Sequence, residues 1–240
     1  MKLGPLYVLL FGIGPAACSF SLDVVGGQSS LSPTTSDACR SAFLAPIDCE
    51  ETLLQLASSG LFMFSERDPL ELTCTDTCKA ALDKYVHNVK GACTAPGDRA
   101  LLKDKAVGVP QPPVEVVGEI FRYIFAWGCA KDEKCINVHE DNSKKWCYKK
   151  YGYGHPYYAK SDFPCTAVCP IKAMEAAHEY PGSDFLFKTH KLSMQSPWWR
   201  NLYADGWKTV LKCRGEGLSS TDDSRAQVAI GSSSVDTRRS

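Results

Sequence analysis

The sequence predicts a mainly α-helical, disulfide-rich scaffold built from two related helical units. Three observations carry that expectation. Apolar residues recur at helical spacing in several segments, while strand-like alternation is scarce. Twelve cysteines occur in 240 residues. A short cysteine pattern also occurs twice, as Cys74-Thr75-Asp76-Thr77-Cys78 and as Cys165-Thr166-Ala167-Val168-Cys169, each copy leading into a helix-like stretch.

Residues 1–18 read as a secretion signal. Lys2 supplies the positive start, Leu6 to Ile13 the apolar run, and Gly14, Ala16 and Ala17 the small residues of a cleavage site. The run is shorter than the roughly 20 residues a membrane span needs, and no membrane anchor is expected. Residues 19–37, rich in Ser, Thr and Gly, read as a flexible leader.

The first cysteine-rich unit is expected over 38–93. Asp48 is a candidate N-cap for a helix with Glu50 and Glu51 in its first turn and Cys49, Leu53 and Leu56 on one face. In the next helix Cys78, Leu82, Tyr85 and Val89 form a continuous apolar stripe, with Lys79, Asp83, Lys84 and Asn88 opposite. Gly97, Pro110, Pro112 and Pro113 mark a linker over 94–113. The second unit spans 114–216. Val117, Ile120, Phe121, Ile124 and Phe125 restart the stripe with Glu119 and Arg122 between them, and Gly128-Cys129 ends it. Pro170 requires its helix to begin within a residue or two of it. Ser196 is a cap for a last helix with Pro197 first, which turns Trp199, Leu202, Tyr203, Val210 and Cys213 inward; Gly206 weakens its middle. The polar segment 217–240 reads as disordered.

Cys39, Cys49, Cys74, Cys78 and Cys93 have a counterpart series in Cys135, Cys147, Cys165, Cys169 and Cys213, with the same order of short, long, three-residue and long gaps. The parallel implies an internal duplication. Cys129 falls outside it and is expected either as a free thiol or bonded to a retained Cys18. Behind a secretion signal, cysteines pair into a disulfide framework. The alternative for the Cys-x-x-x-Cys step, thiolate ligation of zinc or an iron centre, suits an oxidising space poorly. No metal and no cofactor are expected. The sequence leaves the pairing open.

The balance of 27 basic and 27 acidic residues gives no global field for nucleic acid or an anionic membrane. No Asn-x-Ser/Thr sequon occurs. Nucleophile-elbow, His-Glu-x-x-His, Walker and dinucleotide patterns are missing, and His139-Glu140-Asp141 reads as solvated loop, so no catalytic residue is assigned. The binding candidate is the loop over 144–160. There Trp146, Tyr148, Tyr151, Tyr153, Tyr157 and Tyr158 interleave with Lys149 and other lysines, rings offering stacking faces and ammonium groups holding acidic ligands. Packing of these rings beneath the loop as a satellite core is the alternative that composition favours, and Trp198-Trp199 likewise reads as core.

The chain resembles the cysteine-rich regions of secreted fungal proteins, including those that accompany LysM modules. Leu72-Thr73-Cys74 to Ala92-Cys93 fits one helical element. Cys129-Ala130-Lys131-Asp132 with Cys135 or Cys147 fits a connector, and Cys165 to Cys213 fits a second element with a longer insertion. The likeness spans about residues 70–213. No LysM-like segment is found, so chitin binding does not carry over. The resemblance implies a secreted, effector-like protein. The expected function is non-catalytic display of a binding surface for a cell-wall glycan or an extracellular partner protein. A secreted hydrolase without a recognisable motif and a structural wall component are the alternatives.

Overall fold

A computed structural model describes residues 19–22, 31–54, 69–98, 113–132, 146–147, 161–188 and 191–215. Over these the chain is mostly helical. In order come α1 (Asp37–Phe43), α2 (Pro69–Thr73), α3 (Asp76–Ala92), α4 (Val116–Gly128) and α5 (Val168–Glu179). A 3₁₀ turn (Pro181–Asp184), strands β1 (Phe185–Lys188) and β2 (Lys191–Met194), and α6 (Pro197–Arg214) follow. The mainly α expectation holds, and the small antiparallel hairpin, with Phe185 opposite Met194 and Lys188 opposite Lys191, is an addition to it.

Local chemistry sets the helix ends. The side-chain oxygens of Ser36, Thr75 and Ser196 accept from the backbone N–H groups of Cys39, Cys78 and Trp199, three N-caps of the same kind. Asp76 in the first turn of α3 and Lys90 in its last oppose the helix dipole favourably. Pro197 opens α6 as expected, and Gly215, at φ 72°, closes it in the left-handed conformation that glycine adopts without strain. Pro170 is the third residue of α5, early enough that its missing N–H costs no helical bond. Residues 52–54 are helical after Asp48, and Leu53 is fully buried. Leu56 lies outside the described residues.

Two apolar clusters form the interior. The first gathers Cys39, Phe43, Ile47, Leu70, the α3 stripe (Cys78, Leu82, Tyr85, Val86, Val89), and Val117 and Phe121 of α4. Phe20, Leu22 and Leu31, from the Ser/Thr-rich stretch ahead of α1, are buried in it too. Phe20 exchanges backbone hydrogen bonds with Ile47 (3.1 and 2.8 Å) and sets its ring 5.5 Å from that of Phe121. The second cluster holds Tyr123 of α4, Met174, Ala176 and Ala177 of α5, and Leu202, Tyr203 and Val210 of α6. Helix α4 therefore serves both. Ile124 and Trp127 pack against each cluster.

Gly206 fits α6 to α5, since a Cβ there would strike the Met174 side chain. At Gly182 in the 3₁₀ turn, a Cβ would meet the backbone of Glu119 and Ile120, so the turn lies directly against α4.

Five disulfides brace these elements: Cys39–Cys93, Cys49–Cys78, Cys74–Cys129, Cys147–Cys169 and Cys165–Cys213. Cys129 is thus neither free nor available to Cys18, which corrects the expectation for it. Of the twelve cysteines, Cys18 and Cys135 lie outside the described residues. Each Cys-x-x-x-Cys step ties two different neighbours, as a clamp should. Its geometry differs from a single helical face, because Cys74 precedes the cap of α3 and Cys165 precedes α5.

Candidate functional site

Of the candidate binding residues in the anticipated loop, only Trp146 falls among the described residues. Tyr148, Lys149, Tyr151, Tyr153, Tyr157 and Tyr158 lie outside them. Trp146 is 2% exposed and belongs to the first cluster. The Lys131 ammonium sits 4.1 Å from its ring centroid, and a β-bridge joins the two residues. Cys147 N–H donates to the Ala130 carbonyl at 2.8 Å, and Ala130, Cys147 and Cys169 form a small buried group of their own. This indole anchors the chain end of the loop and offers no free face.

Glu119, between the stripe residues of α4, is buried. It is 2% exposed. Its carboxylate accepts from Lys90 Nζ at 2.6 Å and from Arg122 at 3.1 Å, while Arg122 Nε lies 2.8 Å from Asp83 and the guanidinium covers the Tyr180 ring at 4.8 Å. Desolvation works against the Arg122 charge, but the carboxylates of Glu119 and Asp83 outweigh it and raise its pKa. A buried carboxylate is tolerable only when paired and hydrogen-bonded in this way. The network fastens α3, α4 and the residue after α5 to one another, which makes it architectural.

A second buried polar contact joins Tyr123 and Tyr203, whose hydroxyls lie 2.9 Å apart. Burial pushes the Tyr203 phenol up to about 12, and that of Tyr123 well above its ordinary value, so both stay neutral. Each ring thereby has a partner for its one polar atom.

Above this pair the structure exposes aromatic surface. Trp199 leans on Tyr203 with centroids 5.9 Å apart, and Trp198 meets Trp199 edge-on at 4.6 Å. Trp199 is partly buried, as its place on the stripe implies, but Trp198 is 53% exposed, which corrects the reading of both as core. Trp198 is not on the stripe of Trp199, Leu202, Tyr203, Val210 and Cys213, and in the first turn of α6 it faces solvent. Met194, at the end of β2, is 38% exposed. On the Tyr203 side, Asp184 and Arg200 interact electrostatically. Desolvation raises the Asp184 carboxyl, and the guanidinium lowers it in part.

Elsewhere, His178 in the last turn of α5 stacks on Trp207 of α6, centroids 3.7 Å apart and planes 10° from parallel. Arg214 lies 5.3 Å from the same indole and pairs with Glu175 at 2.7 Å. Among the described residues, no group of three or more His, Cys, Asp or Glu side chains is placed to hold a metal ion. No helix among them is long and apolar enough to cross a membrane.

No protein-family model matches the chain, and no solved structure does. Among curated proteins, a LysM domain-containing protein of Arthroderma benhamiae is 36% identical over 69 residues. The match covers 29% of this chain and 12% of that relative's length. The similarity agrees with the cysteine-rich resemblance read from the sequence.

Proposed function

We propose that this is a secreted, non-catalytic binding protein, braced by its disulfides and presenting a surface to a cell-wall glycan. The observation that carries the reading is the density of disulfides, five among the described residues. Such a framework belongs to an oxidising space and holds a small core rigid there. The partial similarity to a LysM domain-containing protein supports an extracellular setting and a glycan ligand. A rigid scaffold favours affinity because little conformational freedom is lost on binding. The Tyr/Lys loop with Tyr148, Lys149, Tyr151, Tyr153, Tyr157 and Tyr158 is part of the proposed ligand face.

The test is retention of the purified full chain on insoluble chitin, β-1,3-glucan and cellulose, beside immobilised extracellular proteins. Saturable retention on at least one polysaccharide is expected. Retention only on a protein replaces the glycan with a partner protein, and turnover of any polysaccharide removes the non-catalytic reading.

A further inference from the structure

Of the five described disulfides, Cys165–Cys213 stands apart by its surroundings. Cys39–Cys93, Cys49–Cys78 and Cys74–Cys129 sit within or against the first apolar cluster, and Cys147–Cys169 lies in the small buried group with Ala130. Neither Cys165 nor Cys213 is part of any of these clusters. Cys165 is exposed, as no other disulfide-bonded cysteine among the described residues is, and Cys213 is half-buried. A thiol opens a disulfide only by reaching one of its sulfurs, so access governs which bond is exchanged first.

The elements that this bond joins are also fastened without it. Thr209 Oγ1 donates to the Ser161 carbonyl at 2.6 Å, and Phe163 is buried in the second cluster, so the lead-in to α5 is held on α6 by two further contacts. Helix α6 keeps Leu202, Tyr203 and Val210 in that cluster and the close fit of Gly206 to Met174. Nearer its end it has the Trp207 stack on His178 and the Arg214 pair with Glu175. Opening the disulfide removes one tether from the end of α6 and leaves the packing that positions the helix. Charge assists the exchange. Lys212 and Arg214 flank Cys213 in the last turn, where cations attract an anionic thiolate and stabilise the one that departs. Glu175 offsets Arg214 and leaves Lys212 as the uncompensated charge of the two.

We propose that Cys165–Cys213 is a redox-labile bond, opened by a low-molecular-weight thiol, that loosens the end of α6 while the other described disulfides stay closed. The thiolate attacks Cys165 Sγ, the S–S bond breaks, and Cys213 leaves with the electron pair and takes a proton from water. A second thiol attacks the mixed disulfide at the sulfur it shares with the first, and Cys165 is released as a thiol. Two thiols are thereby oxidised to one small disulfide, and one protein disulfide is reduced to two cysteines. The bond recloses when the pool turns oxidising. This device is independent of the ligand and goes beyond the binding reading.

Timed exposure of the full chain to reduced glutathione, with iodoacetamide trapping and mass-spectrometric mapping of the labelled cysteines, tests it. Cys165 and Cys213 are expected to be alkylated about tenfold or more faster than any other described pair. At the stage where only these two are labelled, far-ultraviolet circular dichroism should be unchanged. Amide hydrogen exchange should quicken over 161–167 and 207–215 and nowhere else among the described residues. The double variant Cys165→Ser/Cys213→Ser should fold with the other four described bonds intact and show the same exchange pattern without any thiol added. Earlier or equal labelling of another described pair overturns the assignment. Loss of helical signal in step with labelling of Cys165 and Cys213, or a double variant that fails to fold, shows that the bond is structural and overturns it as well. Unaltered hydrogen exchange after opening means that the bond loosens nothing, which also defeats the proposal.

Discussion

Gly182 and Glu119 meet at a point where no side chain fits between two backbones. The 3₁₀ turn lies so close to α4 that a methyl group at position 182 would overlap the backbone of Glu119 and Ile120, and backbone cannot rotate away as a side chain can. Gly182→Ala should therefore destabilise the protein by about 3 kcal/mol, the upper part of the overpacking range. Urea midpoints would measure it, and a loss below about 1 kcal/mol would mean that the turn moves freely off the helix. Neither contact is legible in the sequence, where Gly182 simply follows a proline and nothing marks a partner for Glu119. Its chief partner Lys90 is 29 positions away in the chain, so only the tertiary fold reveals the pair.

Among the elements, the segment after α3 shows how a loop is fastened without apolar burial. The Asp98 carboxylate accepts from the backbone N–H of Ser36 at 2.7 Å and of Ala95 at 2.9 Å, and from Ser36 Oγ at 3.2 Å. The Thr34 hydroxyl donates to the Gly97 carbonyl at 3.0 Å. The Ser36 N–H bond chiefly lowers the Asp98 pKa below its ordinary 3.8, against an opposing desolvation. A carboxyl whose folded pKa is depressed stabilises fully above its unfolded value, and that contribution fades as pH falls through the folded one. Asp98→Asn should thus lower the denaturation midpoint at neutral pH, with a gap to the natural chain that stays constant down to about pH 5 and narrows below it. A gap independent of pH between 6 and 2.5 would assign the loss to shape instead of charge.

Helices α3, α4 and α6 were legible because their stripes run for three turns or more and begin or end at recognisable caps. The hairpin was not. Its strands have four residues each, too few for alternation to be read, and they fall within what looked like an insertion between Cys169 and Cys213. The candidate site shared that fate in part. Its rings stood out by type, but only the assembled turn and helix show Trp198 outside and Trp146 inside.

Across the whole molecule, disulfide pairing was the least readable property, since spacing alone cannot choose among so many combinations. Of the duplicated cysteine series, one pairing recurs: Cys49–Cys78 in the first copy and Cys147–Cys169 in the second. The other described bonds differ, for Cys74 reaches out to Cys129 while its counterpart Cys165 stays with Cys213. The Cys74–Cys129 bond spans 55 residues, including the proline-rich stretch, and loop-closure entropy for that span is worth about 4 kcal/mol. Replacing both partners with serine should cost about that much in chemical unfolding. An unchanged midpoint would show that packing of α4 already closes the loop.

The bonds also decide how the chain comes apart when it is cut. Cys39–Cys93 overlaps Cys74–Cys129, and Cys147–Cys169 overlaps Cys165–Cys213, giving two covalently closed spans, 39–129 and 147–213. A protease nicking one bond inside either span frees no fragment while the disulfides stay oxidised. Between the spans, over 130–146, no described disulfide crosses, and the Lys131–Trp146 bridge with the Ala130–Cys147 hydrogen bond ties the two ends without covalent help. A cut there leaves the two pieces joined across the described residues only by non-covalent contacts, among them the packing of α4 and the Tyr123–Tyr203 hydrogen bond.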